Sequence, residues 1–356
     1  MGPFAQMAEL GHEQVVFCRN DDVGLRAIIG IHSTALGPAL GGTRLYNYAN
    51  EADALRDVMR LSRGMTYKAA MAGLDLGGGK AVIMGDISIK SEGLFRAFGR
   101  HVESLGGRYI TAEDMNTTVE DMNIISRETK HVTGHAAYQG GSGDPSPVTA
   151  WGVFHGIRAC LEVATGSPDV SGRTVAIQGV GNVGYHLARY LHEHGASLYY
   201  TDISQRRLKS VVDAFGGTVI DSEDFYGADV DVLAPCAIGG VINQRTIPKL
   251  RAPIIAGGAN NQLDREAEDG EALATRGVIY APDYVINAGG LINVYSELRH
   301  YPAEKAMADA ANIFNTVKRV INKARQDGIT TTAASNRMAE ERIETISRLR
   351  RTATGF

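Results

Sequence analysis

The sequence predicts an α/β protein of two domains, the second of which contains a doubly wound parallel sheet. At 356 residues the chain is about twice the length of a typical domain. Strand-like and helix-like segments alternate along most of it. A segment dense in turn formers, residues 139–147, interrupts this alternation and is a candidate hinge. We expect a first domain of residues 1–138 plus 331–356 and a second of residues 139–330.

The individual elements follow from hydrophobic periodicity and from the turn-forming residues between them. In the first domain we predict strands at 13–18, 25–32, 80–84 and 108–111, with helices at 51–65 and 91–105. In the second we predict a helix from about 148 and strands at 173–178, 197–202, 218–220, 230–233, 254–256 and 278–281, separated by helices. Two long amphipathic helices, at about 302–327 and 333–351, have no strand partners. One of them is expected to return to the first domain.

Composition excludes several classes of function. Hydrophobic residues make up 44% of the chain, charged residues 21%, and the net charge is −4, which is typical of a globular protein without a basic surface for nucleic acid. Cys18, Cys160 and Cys236 show no C-x-x-C spacing, so neither disulfides nor a bound metal is expected. The N-terminal residues have no export signal, and no stretch is apolar enough to span a membrane. A cytoplasmic protein fits best.

A glycine motif predicts a dinucleotide site in the second domain. Gly179, Gly181 and Gly184 have G-x-G-x-x-G spacing, which is weak evidence alone in a chain with 42 glycines. The strand before them and the helix after them supply the context that the motif needs. Gly179 would form the tight turn, Gly181 would let the backbone approach a pyrophosphate, and Gly184 would let helix and strand pack closely. The second sheet is therefore predicted to be of Rossmann type.

Asp202 indicates which dinucleotide is bound. It ends the next strand, eighteen residues after Gly184, where its carboxylate can accept both ribose hydroxyls and would repel a 2′-phosphate. This favours NAD over NADP as the cofactor. The predicted cofactor-binding residues of this region are Gly179, Val180, Gly181, Asn182, Val183, Gly184, Asp202 and Ile203.

Two lysines and an aspartate are candidates for catalysis in the first domain. Lys68 and Lys80 lie in an apolar, glycine-rich stretch, where desolvation lowers the pKa of a lysine. Lys80 is a candidate general base and Lys68 a candidate carboxylate ligand, although Lys80 could also reach solvent from a strand end. Asp114 follows a strand, the end at which α/β sheets bind ligands, although it could also be a helix N-cap.

Segments along nearly the whole chain resemble the glutamate/leucine/phenylalanine/valine dehydrogenases, most closely the leucine dehydrogenases. They are PALGGTR at 38–44, MTYK at 65–68, GGGK at 77–80, TAED at 111–114, the glycines at 179–184, APCA at 234–237, GANNQ at 258–262 and APDYVINAGG at 281–290. The resemblance implies reversible, NAD-dependent oxidative deamination of an L-amino acid to a 2-oxo acid and ammonia. It also implies a homo-oligomer. Because hydride transfer needs a site that excludes water, we expect the two domains to flank a cleft.

The resemblance also implies roles for individual residues. Lys80 is then the catalytic lysine, Asp114 its acidic partner, and Lys68 the ligand of the substrate α-carboxylate. Asn261, with Asn260 as the alternative, lies near the nicotinamide and the substrate carboxylate. Further residues carried over by the resemblance are Gly41 and Gly42 near the substrate amino group, which could instead form a simple tight turn, and Cys236 and Ala237 near the cofactor.

One substitution indicates the substrate class. In the family members that act on glutamate, the corresponding loop is similar to Lys-Gly-Gly, and the lysine pairs with the side-chain carboxylate of the substrate. This chain has Leu40 before Gly41 and Gly42, and a leucine cannot hold a carboxylate. We therefore expect an apolar pocket that prefers leucine, valine or isoleucine, although Leu291 and Val294 could simply be core residues. The resemblance to leucine dehydrogenases implies that the pocket is lined by Leu40, Ala112, Leu291 and Val294.

Two departures from typical leucine dehydrogenases leave alternatives open. Met115 and Asn116 replace Val-Gly, and an asparagine there is more like the phenylalanine and tryptophan enzymes, while Leu291 replaces a smaller valine. One methylene in a pocket changes discrimination by only about 1–3 kcal/mol, so an aromatic substrate is the alternative. A non-catalytic NAD-binding regulator is a further alternative, but it would have no need of Lys68, Lys80 and Asp114.

Overall fold

The computed structural model describes residues 2–134, 141 and 143–353, which form two compact units. Unit 1 comprises Met1–Gly143, Glu297–His300 and Ala339–Phe356, and unit 2 comprises Asp144–Ser296 and Tyr301–Met338. The domain boundary expected between residues 138 and 139 lies outside the described residues, as do residues 139, 140 and 142 of the candidate hinge.

Unit 1 is built on a mixed five-stranded sheet. Its elements are α1 (Pro3–Leu10), β1 (Gln14–Asn20), β2 (Leu25–Ser33), β3 (Ala39–Tyr46), α2 (Glu51–Met71), β4 (Gly77–Met84), α3 (Glu92–Glu103), β5 (Tyr109–Glu113) and α4 (Val119–Ile125). The strand order is β1-β2-β4-β3-β5. β1 and β2 are antiparallel, as are β2 and β4, whereas β3 runs parallel to both β4 and β5. Sequence patterning predicted neither β3 nor the short helix α1, and it placed the start of the helix after β5 near Asp114, whereas α4 begins at Val119.

Helices cover both faces of this sheet. Asn50 caps the N-terminus of α2, because its side chain accepts a hydrogen bond from the Asp53 amide, and α2 packs on β2 and β4. Its buried residues recur at helical spacing, which is why this amphipathic segment forms a helix. One core contains Ile28, Ala54, Leu55, Val58, Met59 and Val82. A second core, which involves α3 and α4, includes Ile29, Ile31, Leu45, Phe95, Phe98, Tyr109 and Met122.

The glycines of the Gly-Gly-Gly-Lys segment lie inside β4, so the prediction that this strand begins at Lys80 was wrong. A Cβ at Gly78 would lie 2.1 Å from the backbone nitrogen of Thr66 in α2. A Cβ at Gly77 would lie 1.9 Å from the carbonyl oxygen of Ser33 in β2. The glycines are therefore required by close contacts of the strand with its neighbours, which turn propensity alone did not reveal.

Unit 2 contains a six-stranded parallel sheet. Its elements are α5 (Ser146–Thr165), β6 (Thr174–Gln178), α6 (Asn182–Glu193), β7 (Ser197–Thr201), α7 (Gln205–Phe215), β8 (Thr218–Val219), β9 (Val232–Pro235), β10 (Ile254–Ile255), α8 (Glu266–Thr275), β11 (Ile279–Tyr280), α9 (Asp283–Ile286), α10 (Gly289–Leu298), α11 (Ala303–Ala311) and α12 (Ile313–Asp327). The order β11-β10-β9-β6-β7-β8 is that of a Rossmann sheet, which confirms the predicted fold class.

The C-terminal helices differ in detail from expectation. The helix predicted at about 302–327 is interrupted at Asn312, where α11 ends and α12 begins. The last helix, α13 (Thr331–Ala353), starts after Thr330, whose hydroxyl accepts a hydrogen bond from the Ala333 amide. From Ala339 onward this helix belongs to unit 1, where Arg342 donates hydrogen bonds to the carbonyls of Ala70 and Leu74.

Three broader expectations concern membranes, thiols and metals. Across the ranges given above, no helix is long and apolar enough to cross a membrane. Cys18, Cys160 and Cys236 all lie in the described part of the chain, and each is a free thiol. Within that part, histidine, cysteine and acidic side chains form no group of three that could hold a metal ion.

Two histidines are buried where α1, β2 and α2 meet. His12 Nε2 lies 2.8 Å from Ser62 Oγ, and His32 Nδ1 lies 2.8 Å from Thr66 Oγ1. The ring centroids are 4.9 Å apart. Burial lowers the pKa of His12 to about 4, and burial together with His12 and Arg63 lowers the pKa of His32 to about 3.

Stability is therefore expected to fall as the pH drops below about 6.5, the pKa of an unfolded histidine. The unfolded chain binds protons that the folded chain excludes, so each histidine should cost about 2 kcal/mol between pH 7.5 and pH 5. Urea unfolding of the parent and of His32→Gln at several pH values measures this contribution. The variant should lose less stability on acidification than the parent; an equal loss in both proteins would contradict the expectation.

Candidate active site

Lys80 lies in the middle of β4, opposite Gly30 of β2, and is 5% exposed. Its Nζ is 2.7 Å from Asp114 Oδ1. The side chain therefore points into unit 1. The alternative that the sequence left open, a lysine that reaches solvent from a strand end, does not apply. A buried lysine beside a single carboxylate oxygen is well placed to exchange a proton.

Asp114 directly follows β5, which runs two residues beyond its predicted end. It is not an N-cap, because Thr118 caps α4 through a capping box with Asp121. The carboxylate instead accepts hydrogen bonds from two cations, through Oδ1 from Lys80 and through Oδ2 from Arg44 Nε, at 2.8 Å. The acid that sequence analysis singled out is thus held between two positive charges.

Opposing effects set the charges of this pair. Burial alone would raise the pKa of Asp114, but Lys80 and Arg44 outweigh it and lower that pKa to about 2. Burial lowers the pKa of Lys80, Asp114 partly offsets this effect, and the cation of Arg44 lowers the pKa further. Asp114 is therefore a carboxylate at any working pH, whereas Lys80 loses its proton more easily than an ordinary lysine.

Gly41 and Gly42 lie within β3, so the alternative of a simple tight turn was wrong. A Cβ at Gly41 would lie 1.7 Å from the Gly79 carbonyl oxygen, and a Cβ at Gly42 would lie 2.2 Å from that of Glu113. Tyr109, which is fully buried, donates a hydrogen bond of 2.6 Å to the Gly41 carbonyl. The two glycines let neighbouring strands approach closely beside Asp114.

The remaining candidates of unit 1 flank these residues. Lys68 is half-buried in the last turn of α2, which runs six residues beyond its predicted end. Leu40 of β3 is 2% exposed and lies opposite Gly78 of β4. Ala112 of β5 is half-buried and lies opposite Gly42.

In unit 2 the glycine motif forms the turn between β6 and α6. Gly179 has a φ of +87°, a conformation that glycine adopts without strain. A Cβ at Gly184 would lie 2.0 Å from the Gly179 carbonyl oxygen, so strand and helix are in direct contact. Gly181 precedes α6, which begins at Asn182 and has no side-chain cap. The α6 N-terminus therefore presents backbone amides without an internal side-chain acceptor.

Asp202 follows β7 and lies against this turn. Its Oδ2 accepts a hydrogen bond from the Val180 amide and its Oδ1 one from the Ser204 amide, both at 2.8 Å. A shallow cavity of about 300 Å³ borders the turn. Its lining includes Val180, Gly181, Asn182, Tyr185, Arg206 and Arg207. Ile203 is fully exposed, and Val183 lies in the first turn of α6.

Four other candidates follow β9 and β10. Cys236 accepts a hydrogen bond from the Gly258 amide, and burial raises the pKa of its thiol to about 12, so it is not a nucleophile. Ala237 packs against Gly179, where a Cβ would lie 2.6 Å from the alanine Cβ. Asn260 Oδ1 accepts a hydrogen bond of 2.7 Å from Asn287, whereas Asn261 has a φ of +51° and donates its amide hydrogen to Asp283.

The other two predicted pocket residues lie on α10 of unit 2. Leu291 is 7% exposed and Val294 is half-buried. Both are apolar, as a pocket for an aliphatic side chain requires.

Family models match nearly all of the chain. The model described as Glu/Leu/Phe/Val dehydrogenase, dimerisation domain, matches residues 12–131. The model described as Glutamate/Leucine/Phenylalanine/Valine dehydrogenase matches residues 140–205 and 200–351. The chain belongs to the glutamate/leucine/phenylalanine/valine dehydrogenase family. The predicted resemblance is thereby confirmed.

Individual relatives of this dehydrogenase agree. It is 53% identical over 348 residues to a leucine dehydrogenase of Geobacillus stearothermophilus, covering 98% of this chain and 95% of that one. It is 49% identical over 345 residues to an L-tryptophan dehydrogenase of Nostoc punctiforme, covering 97% of both chains. The crystal structure of L-tryptophan dehydrogenase from Nostoc punctiforme superposes with a TM-score of 0.87 at 48% identity, over 96% of this chain and 99% of that one.

The dehydrogenase is therefore an enzyme that interconverts an amino acid and a 2-oxo acid with a nicotinamide dinucleotide. The alternative of a non-catalytic regulator is not supported. Sequence reasoning did not single out Arg44, the second cation that contacts Asp114 in the candidate site. Arg44 ends the PALGGTR segment, and its position beside Gly41 and Gly42 was the signal that could have identified it.

Proposed function

We propose that this dehydrogenase catalyses the NAD-dependent, reversible oxidative deamination of leucine, valine or isoleucine to the 2-oxo acid and ammonia. The observation that carries the proposal is the buried Lys80–Asp114 pair, with Nζ and Oδ1 2.7 Å apart, together with the buried apolar Leu40 on β3, the strand next to that of Lys80. Lys68 would hold the α-carboxylate of the substrate, and the carbonyls of Gly41 and Gly42 would approach the amino group of the substrate.

Lys80 supplies the acid–base chemistry of the proposed mechanism. NAD⁺, when bound, supplies the hydride acceptor. Loss of hydride leaves a substrate iminium, and neutral Lys80 takes a proton from the water that attacks it. At rest Asp114 is a carboxylate that stabilises the lysinium that forms, and it would hold a proton only transiently on the way to or from the substrate amine. Burial suits Lys80 to this task, because it lowers the pKa of the lysine and so favours the neutral form that acts as a base.

Unit 2 fits a nicotinamide dinucleotide. The amides at the N-terminus of α6 and the open side of Gly181 suit a pyrophosphate, with Val180, Asn182, Val183 and Gly184 in the same turn. The carboxylate of Asp202 can still accept ribose hydroxyls, because each oxygen has a second lone pair. We infer NAD from this carboxylate, with Ile203, Cys236, Ala237 and Asn261 as further neighbours of the cofactor.

Substrate class follows from the apolar side chains. Leu40 occupies the position that, by the resemblance, is a lysine in the family members that act on glutamate. Ala112, Leu291 and Val294 are also apolar. Asn116 no longer argues for an aromatic substrate, because its φ of +61° is a conformation that glycine and asparagine adopt most readily. Its side chain donates a hydrogen bond to the Leu45 carbonyl. Asparagine can therefore stand in the place of a glycine here without strain in the backbone.

Rates with a panel of amino acids and both cofactors test the proposal. With NAD⁺, leucine, valine and isoleucine are expected to exceed phenylalanine and tryptophan in kcat/KM by about tenfold or more, because even one methylene in a pocket changes kcat/KM by about 10–200-fold. Glutamate should be slowest, because its carboxylate would be buried without a partner. A dominant rate with tryptophan would support the aromatic alternative, and equal rates with NADP⁺ would contradict the inference from Asp202.

We infer two further properties. The match of residues 12–131 to a dimerisation domain supports a homo-oligomer, which size-exclusion chromatography with light scattering would detect. The three free thiols support a reducing compartment such as the cytoplasm.

A further inference from the structure

Arg44 joins two carboxylates that come from different elements of unit 1. From β3 its Nε donates to Asp114 Oδ2 at 2.8 Å, and its Nη1 donates to Asp57 Oδ2 of α2 at 3.0 Å. The side chains of Arg44 and Asp57 are 20% and 16% exposed. A guanidinium can do this because it is planar and presents its donors in fixed directions, whereas an ammonium is a single point charge.

We propose that Arg44 is a positioning residue for the reaction: it fixes the orientation of the Asp114 carboxylate against Lys80 and is itself anchored by Asp57 and Tyr48. The proposal rests on the proposed function in taking Lys80 as the general base. Arg44 does not act on the substrate in this role; it acts through Asp114.

The two oxygens of Asp114 show why its orientation is fixed. Lys80 engages Oδ1 and Arg44 engages Oδ2, so the carboxylate cannot rotate without losing one charge-assisted hydrogen bond. Without Arg44, Oδ2 would be left partly buried without this partner, which is costly for an ionised oxygen. The Asp114 carboxylate would then rotate so that both of its oxygens accept from the Lys80 ammonium, and this rotation would move the ammonium from its position.

Asp57 and Tyr48 anchor Arg44 on the side away from Asp114. The Tyr48 hydroxyl donates to Asp57 Oδ2 at 2.6 Å, and Arg60 lies 3.5 Å from Asp57 Oδ1. Burial and the neighbouring Asp57 raise the pKa of Tyr48, so its hydroxyl remains a donor. Arg44, Tyr48, Asp57 and Arg60 border a shallow cavity of about 500 Å³. The chain of contacts therefore runs from Lys80 to a solvent-accessible side of unit 1.

The charges around Lys80 make the proposal testable by pH. The charged groups that influence it are Asp114 after β5, Arg44 on β3 and Asp57 on α2. Asp114 in turn faces Lys80, Arg44 and the hydroxyl of Tyr109 on β5. Loss of the Arg44 cation should raise the pKa of Lys80, and loss of the Asp57 anion should lower it. A merely structural role would not produce shifts of opposite sign.

Arg44→Met, Arg44→Lys and Asp57→Asn test this through the pH profile of kcat/KM for leucine. Arg44→Met should lower kcat about 100-fold through misplacement of the acid–base pair, with a much smaller change in KM, and move the rising limb to higher pH. Arg44→Lys should lower kcat but leave the limb near its parent position, since the charge is kept. Asp57→Asn should move the limb to lower pH. Guanidinium ion at low millimolar concentration should partly restore Arg44→Met.

The matched control is Arg56→Met, which removes an exposed arginine that pairs with Asp53 on the same helix as Asp57. It should leave kcat and the profile unchanged. If Arg44→Met does not fold, as judged by thermal melting, Arg44→Lys and Asp57→Asn decide the matter. Parent values of kcat and of the limb in the folded variants would overturn the proposal. Full turnover by Lys80→Met would instead refute the base on which the proposed function rests.

Discussion

Replacing Lys80 by methionine is expected to lower kcat by about 10³-fold or more, while the enzyme continues to bind NADH. A general base contributes roughly 10²–10⁴-fold to rate, and Lys80 is also the cation against which Asp114 is oriented. Methionine has a similar length and suits a position that is 5% exposed. The candidate cofactor residues from Gly179 to Ile203 belong to unit 2, so cofactor affinity should change by less than about threefold.

Steady-state rates with leucine and NAD⁺, together with fluorescence titration of NADH, measure both effects. Lys90→Met is the matched control, because Lys90 also pairs with an aspartate in unit 1, at 2.5 Å from Asp121, but lies outside the proposed site. It should keep parent turnover. Parent turnover in Lys80→Met would remove the lysine from the mechanism, whereas loss of NADH binding would show that the substitution acts on more than the acid–base step.

The sequence was informative wherever a residue's environment is local. The strand before Gly179, the helix after Gly184 and the acid at the end of β7 lie within about thirty residues, and periodicity and turn chemistry were enough to predict them. Asp114 was found for a similar reason, because the carboxyl end of a strand can be read from a short segment.

Features that depend on distant residues were missed. β3 escaped prediction because Gly41 and Gly42 resemble turn formers, and only the neighbouring strands β4 and β5 explain why a strand needs them there. The pairing of Arg44 with Asp114 was missed because the two lie seventy residues apart, so the place of Arg44 in the PALGGTR segment did not show which acid it contacts. Leu40 was singled out by resemblance, but its burial against β4 became visible only in the structure.

Gly78→Ala is expected to destabilise the enzyme by about 3 kcal/mol or more, at the upper end of the cost of overpacking a core. The new methyl group would lie 2.1 Å from the backbone nitrogen of Thr66, 2.2 Å from its hydroxyl oxygen and 2.4 Å from the carbonyl oxygen of Ser62. Two of these are backbone atoms of α2, so no side-chain rotation relieves the contact. The helix must move away from β4.

Gly64→Ala provides a control of opposite sign on the same helix. Gly64 is exposed in the interior of α2, and a Cβ there meets nothing within 4 Å. Alanine should stabilise the helix by about 0.5–1 kcal/mol, because it loses less backbone entropy on folding than glycine. Urea unfolding of the parent and of both variants therefore separates a general effect of glycine replacement in this region from a specific collision between helix and strand.

The activity of the folded Gly78→Ala protein shows whether the packing of α2 on β4 also matters for catalysis. α2 carries Asp57 and Lys68, and β4 carries Lys80, so a shift of the helix on the strand moves the proposed carboxylate ligand and the anchor of Arg44 relative to the base. Displacements of about 1 Å can cost 10²-fold in rate. We therefore expect kcat/KM to fall with stability in Gly78→Ala and to stay at the parent value in Gly64→Ala. Parent stability in Gly78→Ala would show that α2 and β4 are not in the direct contact that places Lys80 in unit 1.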